Sequence, residues 1–188
     1  MRSILILGVG RAGKSTLSRM IKSKYPQYNL LHTDSVRTPF LKLLPAEYLP
    51  EFLDYEKNVF FQEFLLEFLA SQIRQNRKND CILEGAQILP SKVHELVDLN
   101  STIVVFLGHG NLTAEDIFNL CREHDNELDF SYKITDEELS EHAQDWYKKN
   151  ELIKKECEKY HFKYVDTSKN REETLKKVFE ELCREIEK

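Results

Sequence analysis

The residues that could do chemistry begin near the N-terminus. Gly8-Val9-Gly10-Arg11-Ala12-Gly13-Lys14-Ser15 fits G-x-x-x-x-G-K-[ST], the Walker A spacing of a phosphate-binding loop. Each position has a physical reason. Glycines let successive backbone N–H groups turn inward around phosphate oxygens. Lys14 can reach the β- and γ-phosphates of a nucleoside triphosphate, and the Ser15 hydroxyl can ligate Mg²⁺. A helix that starts at Lys14 and runs on through Thr16 aims the positive end of its dipole at the same anion. The stretch from Gly8 to Thr16 therefore predicts a nucleotide-binding site, with Arg11 inside it and its side chain free to face water.

Further candidates stand after other apolar runs. Asp34 either orients or deprotonates an acceptor hydroxyl, with Arg37 clamping an anionic group of the same molecule, or it caps a helix with Arg37 as a surface charge. A position just past a strand end favours the first, because parallel sheets place ligand groups there. Glu84 can support Mg²⁺ through water or engage substrate, with Gly85 permitting close backbone approach; a structural cap is the alternative. Arg122 either swings onto a transferring phosphoryl group or lies in solvent at a helix C-terminus, and Lys133 is a lesser candidate of the same kind. Asp166-Thr167-Ser168 either border an adenine ring or form a plain turn. The pairs Lys148-Lys149, Lys154-Lys155 and Lys176-Lys177 interleave with acids and read as solvated helix faces.

The elements that must hold these residues follow from hydrophobic period. Short apolar runs predict strands at about 3–7, 28–32, 81–83, 101–107 and 162–165. Between them lie a helix to about Lys24 and an irregular stretch over 36–54 broken by Pro39, Pro45 and Pro50. A long helix from about Tyr55 to Arg74 carries a core stripe of Phe60, Phe61, Phe64, Leu65, Phe68, Leu69 and Ile73. A polar turn covers 75–80, a short helix follows Pro90, and Thr113 caps a helix to about Arg122. A mobile loop covers 123–134, and Thr135 with Glu138 opens a long helix. Asn170, with Glu173 three residues on, caps the last one. Strands alternating with helices predict an α/β fold, a parallel sheet covered on both faces.

Composition bounds the function. At 188 residues, with 41% hydrophobic and 31% charged residues, the chain is expected to form one domain, 1–188. A formal net charge of −5 argues against nucleic acid as a partner. The cysteines, Cys81, Cys121, Cys157 and Cys183, lack metal-ligand spacing and read as reduced, mostly buried thiols of a cytoplasmic protein. The apolar run after Arg2 ends in the phosphate loop, so it reads as a strand and not a signal peptide, and no run reaches the roughly 18 residues of a membrane span.

Taken together, G-V-G-R-A-G-K-S at 8–15, T-D-S-V-R at 33–37, I-L-E-G at 82–85, the Arg122 region and V-D-T-S at 165–168 resemble the nucleoside-monophosphate-kinase-like P-loop kinases. That group includes adenylate, shikimate and gluconate kinases. The resemblance implies a three-layer αβα P-loop NTPase fold with sheet order 2-3-1-4-5 and ATP with Mg²⁺ as donor. It also implies an acceptor-binding region over 36–76 and a lid over 123–135. Adenylate kinases carry Asp-Gly and then an arginine after strand 3, and several lid arginines. Here Glu84-Gly85 is followed by Ile88 and Leu89, and Arg122 is the one arginine between 108 and 146. A small hydroxyl-bearing acceptor fits Asp34 and Arg37 better than a second nucleotide. The expected activity is phosphotransfer from Mg-ATP to a small hydroxyl- or phosphate-bearing metabolite. The competing reading is a nucleotide-gated regulatory module, or slow ATPase, that uses the aromatic-rich 40–69 region as a partner surface. A guanine-nucleotide switch is disfavoured, because no N-K-x-D-like motif follows strand 4.

Overall fold

The computed structural model describes residues 2–75, 80–127 and 129–188. Its frame is a five-stranded parallel sheet in the order β2-β3-β1-β4-β5. The strands are β1 Ser3–Gly8, β2 Asn29–His32, β3 Cys81–Gly85, β4 Thr102–Gly108 and β5 Tyr164–Asp166. The central strand is buried along its whole length, which explains its unbroken apolar run. Register sets the site. Ile6 pairs with Glu84, Gly8 with Leu107, and His32 with Glu84, so these strand ends open on one edge of the sheet.

The helices are α1 Lys14–Lys24, α2 Thr33–Leu43, α3 Leu49–Leu53, α4 Val59–Gln75, α5 Pro90–Leu96, α6 Ala114–His124, α7 Asp136–Tyr160 and α8 Arg171–Ile186. α1 packs with α8, while α4, α5 and α7 pack in succession. Among the described residues no helix is long and apolar enough to cross a membrane. All four cysteines are buried and free.

Several local expectations are corrected. The 36–54 stretch is not irregular from its start: α2 begins at Thr33, directly on the end of β2, and runs through Pro39. The Ser35 carbonyl, for which Pro39 has no N–H, lies on an exposed part of the helix where water can bond it. A 3-10 turn at 46–48 and α3 follow. Phe40 then stacks among Phe52, Phe61 and Phe64, with ring centroids 6.2, 5.2 and 5.1 Å away. This cluster ties α2, α3 and α4 together.

The stripe on α4 is rotated from the expected one. Phe60 is 71% exposed, and Gln62 is buried in its place. Gln62 stays satisfied because it accepts from the Leu89 N–H at 2.8 Å and donates to the Tyr55 carbonyl at 2.8 Å. α6 extends to His124, and the expected loop after it contains a 3-10 turn at Phe130–Tyr132 with Ser131 fully buried. Asn170 begins α8 in a left-handed conformation without a side-chain cap. Both expected Thr caps, on α6 and α7, form complete capping boxes. Residues 76–79 of the expected polar turn lie outside the described residues.

Candidate functional site

The phosphate loop connects β1 to α1. Gly13 takes φ +91°, a left-handed conformation that costs a residue without a Cβ nothing, and from it the chain enters α1. The first turn of α1 holds no acidic residue and no side-chain cap, so its N–H groups and dipole are not spent on the protein's own anions.

Three loop carbonyls accept side-chain hydrogen bonds. Lys14 Nζ donates to the Val9 carbonyl at 2.6 Å. His109 Nε2, from the end of β4, bonds the Gly10 carbonyl at 2.8 Å. Thr167 Oγ1, after β5, donates to the Ala12 carbonyl at 3.1 Å. Three of the loop's carbonyls are thus engaged within the protein.

Two of these groups have shifted acidity. Burial pushes the Lys14 ammonium below the ordinary lysine value, the Glu84 and Asp34 charges raise it, and Arg171 lowers it. Burial brings His109 down to about 4, helped by Lys14 and Arg171 and opposed by the Gly10 bond. His109 is therefore neutral near pH 7, with its proton on Nε2.

Facing the loop are the ends of β2 and β3. Glu84 is buried, and its Oε2 lies 2.6 Å from His32 Nδ1. It belongs to β3, so a helix-capping role does not apply. Gly85 is required by close approach: a Cβ there would overlap Thr33 Oγ1 at the start of α2. Thr33 bonds Gln87, and Gln87 Nε2 donates to Asp34 Oδ1 at 2.8 Å. Asp34, exposed in the first turn of α2, is thus oriented from β3's exit loop. Arg37 lies one turn further along α2.

Lys149 is a correction. It is not on a solvated face but buried on α7, where it donates to the Ala86 carbonyl. Its ammonium also lies over the Tyr55 ring, 4.6 Å from the centroid. Burial brings it down to about 7, helped by the charges of Lys14 and Arg37 and opposed by Asp34. Lys149 thus feels the charges of Lys14, Arg37 and Asp34, and Lys14 feels that of Asp34. Which lysine of the 148–149 pair turns inward depends on the rotation of α7, which its own pattern leaves open.

The third wall is the segment after α6. Arg122 donates to Asp136 Oδ1 at 2.8 Å, the Ser131 carbonyl at 2.9 Å and the Ile134 carbonyl at 3.0 Å. Its guanidinium braces the segment from within. Lys133 follows the 3-10 turn as its C-cap residue. Arg11 reaches across from the phosphate loop to ion-pair with Asp125 and Asp129. Its value is raised: burial opposes the charge, but the Asp129 bond and the two carboxylate charges outweigh it. Trp146 of α7 packs against Gly10, His142 stacks with that indole, and Phe130 meets it edge-on.

His32, Gln87, His109 and Lys149 were not singled out as site residues in the sequence. Only His109 carried a usable signal, its place between Gly108 and Gly110 at a strand end. Among the described residues no group of three or more His, Cys, Asp or Glu could hold a metal ion alone. The hard oxygens of Ser15 and Glu84 fit Mg²⁺, which ordinarily keeps water and phosphate among its ligands.

No protein-family model and no curated protein matches the chain by sequence. Solved structures do match by fold. A shikimate kinase from Bacteroides thetaiotaomicron aligns at TM-score 0.57 and 16% identity, covering 100% of this chain and 99% of that one. A shikimate kinase from Acinetobacter baumannii in complex with shikimate aligns at 0.55 and 15%, covering 99% and 93%. A gluconokinase from Sinorhizobium meliloti aligns at 0.53 and 17%, covering 98% and 97%. At these identities the likeness is one of fold. It is the P-loop kinase fold, with the sheet order 2-3-1-4-5 that the resemblance implied.

Proposed function

We propose that this protein is an ATP-dependent phosphotransferase that moves the γ-phosphoryl group of Mg-ATP to a hydroxyl of a small metabolite. One observation carries the reading: the Asp34 carboxylate, held by Gln87 at the start of α2, exerts its charge on the buried Lys14 of the phosphate loop. That supports a donor loop and an acceptor-side carboxylate acting together.

In this reading the loop N–H groups and Lys14 hold the triphosphate, with the ammonium moving from the Val9 carbonyl to phosphate oxygen. Ser15 and Glu84 would hold Mg²⁺, which neutralises charge on the β- and γ-oxygens when bound. Asp34, held by Gln87, takes the proton of the acceptor hydroxyl. That oxygen attacks the γ-phosphorus, the bond from phosphorus to the bridging oxygen breaks, and ADP leaves. Arg37 and Lys149 fix an anionic group on the acceptor, and Arg122 holds the 123–135 lid in shape. The α2–α4 region forms the acceptor wall. Positioning and charge neutralisation carry the rate.

The test is to incubate the protein with Mg-ATP and pools of metabolites while following ADP release and product mass. A pool that raises ADP release and yields a phosphorylated product is expected. No pool raising ADP above the protein-alone rate would sink the reading. Lys14→Ala should lose ATP binding, and Asp34→Asn should abolish transfer while leaving ATP binding nearly intact.

A second reading is favoured by one surface feature. Leu43, Tyr48, Leu53 and Phe60 are 83%, 55%, 55% and 71% exposed, an apolar run suited to a protein partner. A nucleotide-gated regulator of that kind would keep its turnover in Asp34→Asn.

A further inference from the structure

The donor site has an unusual charge arrangement. Three cations, Lys14 and Arg11 in the phosphate loop and Arg171 beside it, each lower the pKa of a neighbour. Arg11 sits inside the loop at φ +60°, a conformation in which glycine is unstrained and a long side chain is not. Its ion pairs with Asp125 and Asp129 hold the residue there. Arg171 opens α8, and its Nε lies 3.3 Å from where a Cβ on Gly13 would stand. It is exposed and makes no side-chain hydrogen bond among the described residues, so its guanidinium is open to a ligand. Both guanidinium groups line a cavity of about 180 Å³ shared with His109, Thr167 and Ser168.

The opposing charge comes from the lid. Asp125 and Asp129 pair with Arg11, and their charges also act on Arg171. Asp125 is nearly buried, at 3% side-chain exposure, and is held by Ser131 Oγ. Arg122, the lid's one arginine, is committed to Asp136 and two carbonyls.

We propose that Arg11 and Arg171 are the phosphate-neutralising residues of the donor site, and that Asp125 and Asp129 stand in for the polyphosphate until it displaces them. The cations that other lids would supply come here from the loop itself and from α8. Ligand entry exchanges one set of ion pairs for another, so net ion release is small and binding depends weakly on salt. The inference rests on the donor half of the proposed function and needs no acceptor.

Calorimetric titration of the full chain with Mg-ATP and with inorganic tripolyphosphate tests it. Arg11→Met and Arg171→Met are each expected to weaken both ligands about tenfold or more. Asp125→Asn with Asp129→Asn should tighten both several-fold and steepen the salt dependence. An Arg171→Met variant that loses ATP affinity but keeps tripolyphosphate affinity would place Arg171 on the base and overturn the proposal. So would an acid-free lid that binds no more tightly than the parent. If the unaltered protein binds neither ligand, the donor-site reading itself falls, and the inference falls with it.

Discussion

His109 is a buried neutral imidazole whose one proton has a structural task. Its value of about 4, against an ordinary 6.5, means that the unfolded chain binds a proton between those limits and the folded chain does not. Stability from this group is complete above pH 6.5 and is lost as pH falls toward 4. At about 1.4 kcal/mol per unit, that window is worth on the order of 3 kcal/mol. His109→Gln keeps an N–H near Nε2 without titrating, so urea midpoints measured from pH 7 to pH 4 should flatten relative to the parent. Lys149 behaves in the opposite range. Its value of about 7 leaves the folded chain unprotonated where an unfolded lysine still holds its proton, so its contribution to stability rises with pH from about 7 toward 10.5. Lys149→Met should abolish that rise in denaturant midpoints. An anionic acceptor would restore the charge, so acceptor binding above pH 7 should take up a proton, read as a buffer-dependent calorimetric enthalpy.

At the scale of elements, α2 is placed by contact with the exit of β3. Gly85 admits Thr33, and Thr33 and Asp34 share Gln87. Gly85→Ala should push the start of α2 away and carry Asp34 with it. Misplacement of about 1 Å can cost on the order of 100-fold in rate, so kcat should fall while ATP affinity is kept. The segment after α6 depends on Arg122, which feeds two backbone carbonyls and a carboxylate at once. Arg122→Met strips those acceptors and should cost about 2 kcal/mol locally. Hydrogen exchange at 130–136 should quicken, with exchange in the sheet unchanged.

For the whole molecule, Asn150 joins three elements. Its Oδ1 accepts from the His109 N–H at 2.9 Å and the Tyr164 hydroxyl at 2.7 Å, and its Nδ2 donates to the Gly110 carbonyl at 3.0 Å. Asn150→Ala leaves buried partners unmet and should lower stability by about 3 kcal/mol, seen as a lower Tm. What could be read in advance follows from range. The strands and the phosphate loop were legible because buried parallel strands are continuous apolar runs and the loop's chemistry is local. Pro39 misled because its cost is met by water on an exposed helix face. Phe60 and Lys149 were misplaced because helix rotation is set by packing partners distant in the chain. The pairing of Arg11 with Asp125 and Asp129 spans more than a hundred residues, so no window along the chain displays it. Asp34 and Glu84 stood out by position, but the groups that orient them, Gln87 and His32, belong to neighbouring elements.

The packing of Trp146 on Gly10 has a practical consequence. The chain contains one tryptophan, so all of its indole emission originates against the phosphate loop, with His142 stacked on it and Phe130 edge-on beside it. The protein carries its own optical probe, and any rearrangement of that loop or its cover should change intensity or wavelength without a label.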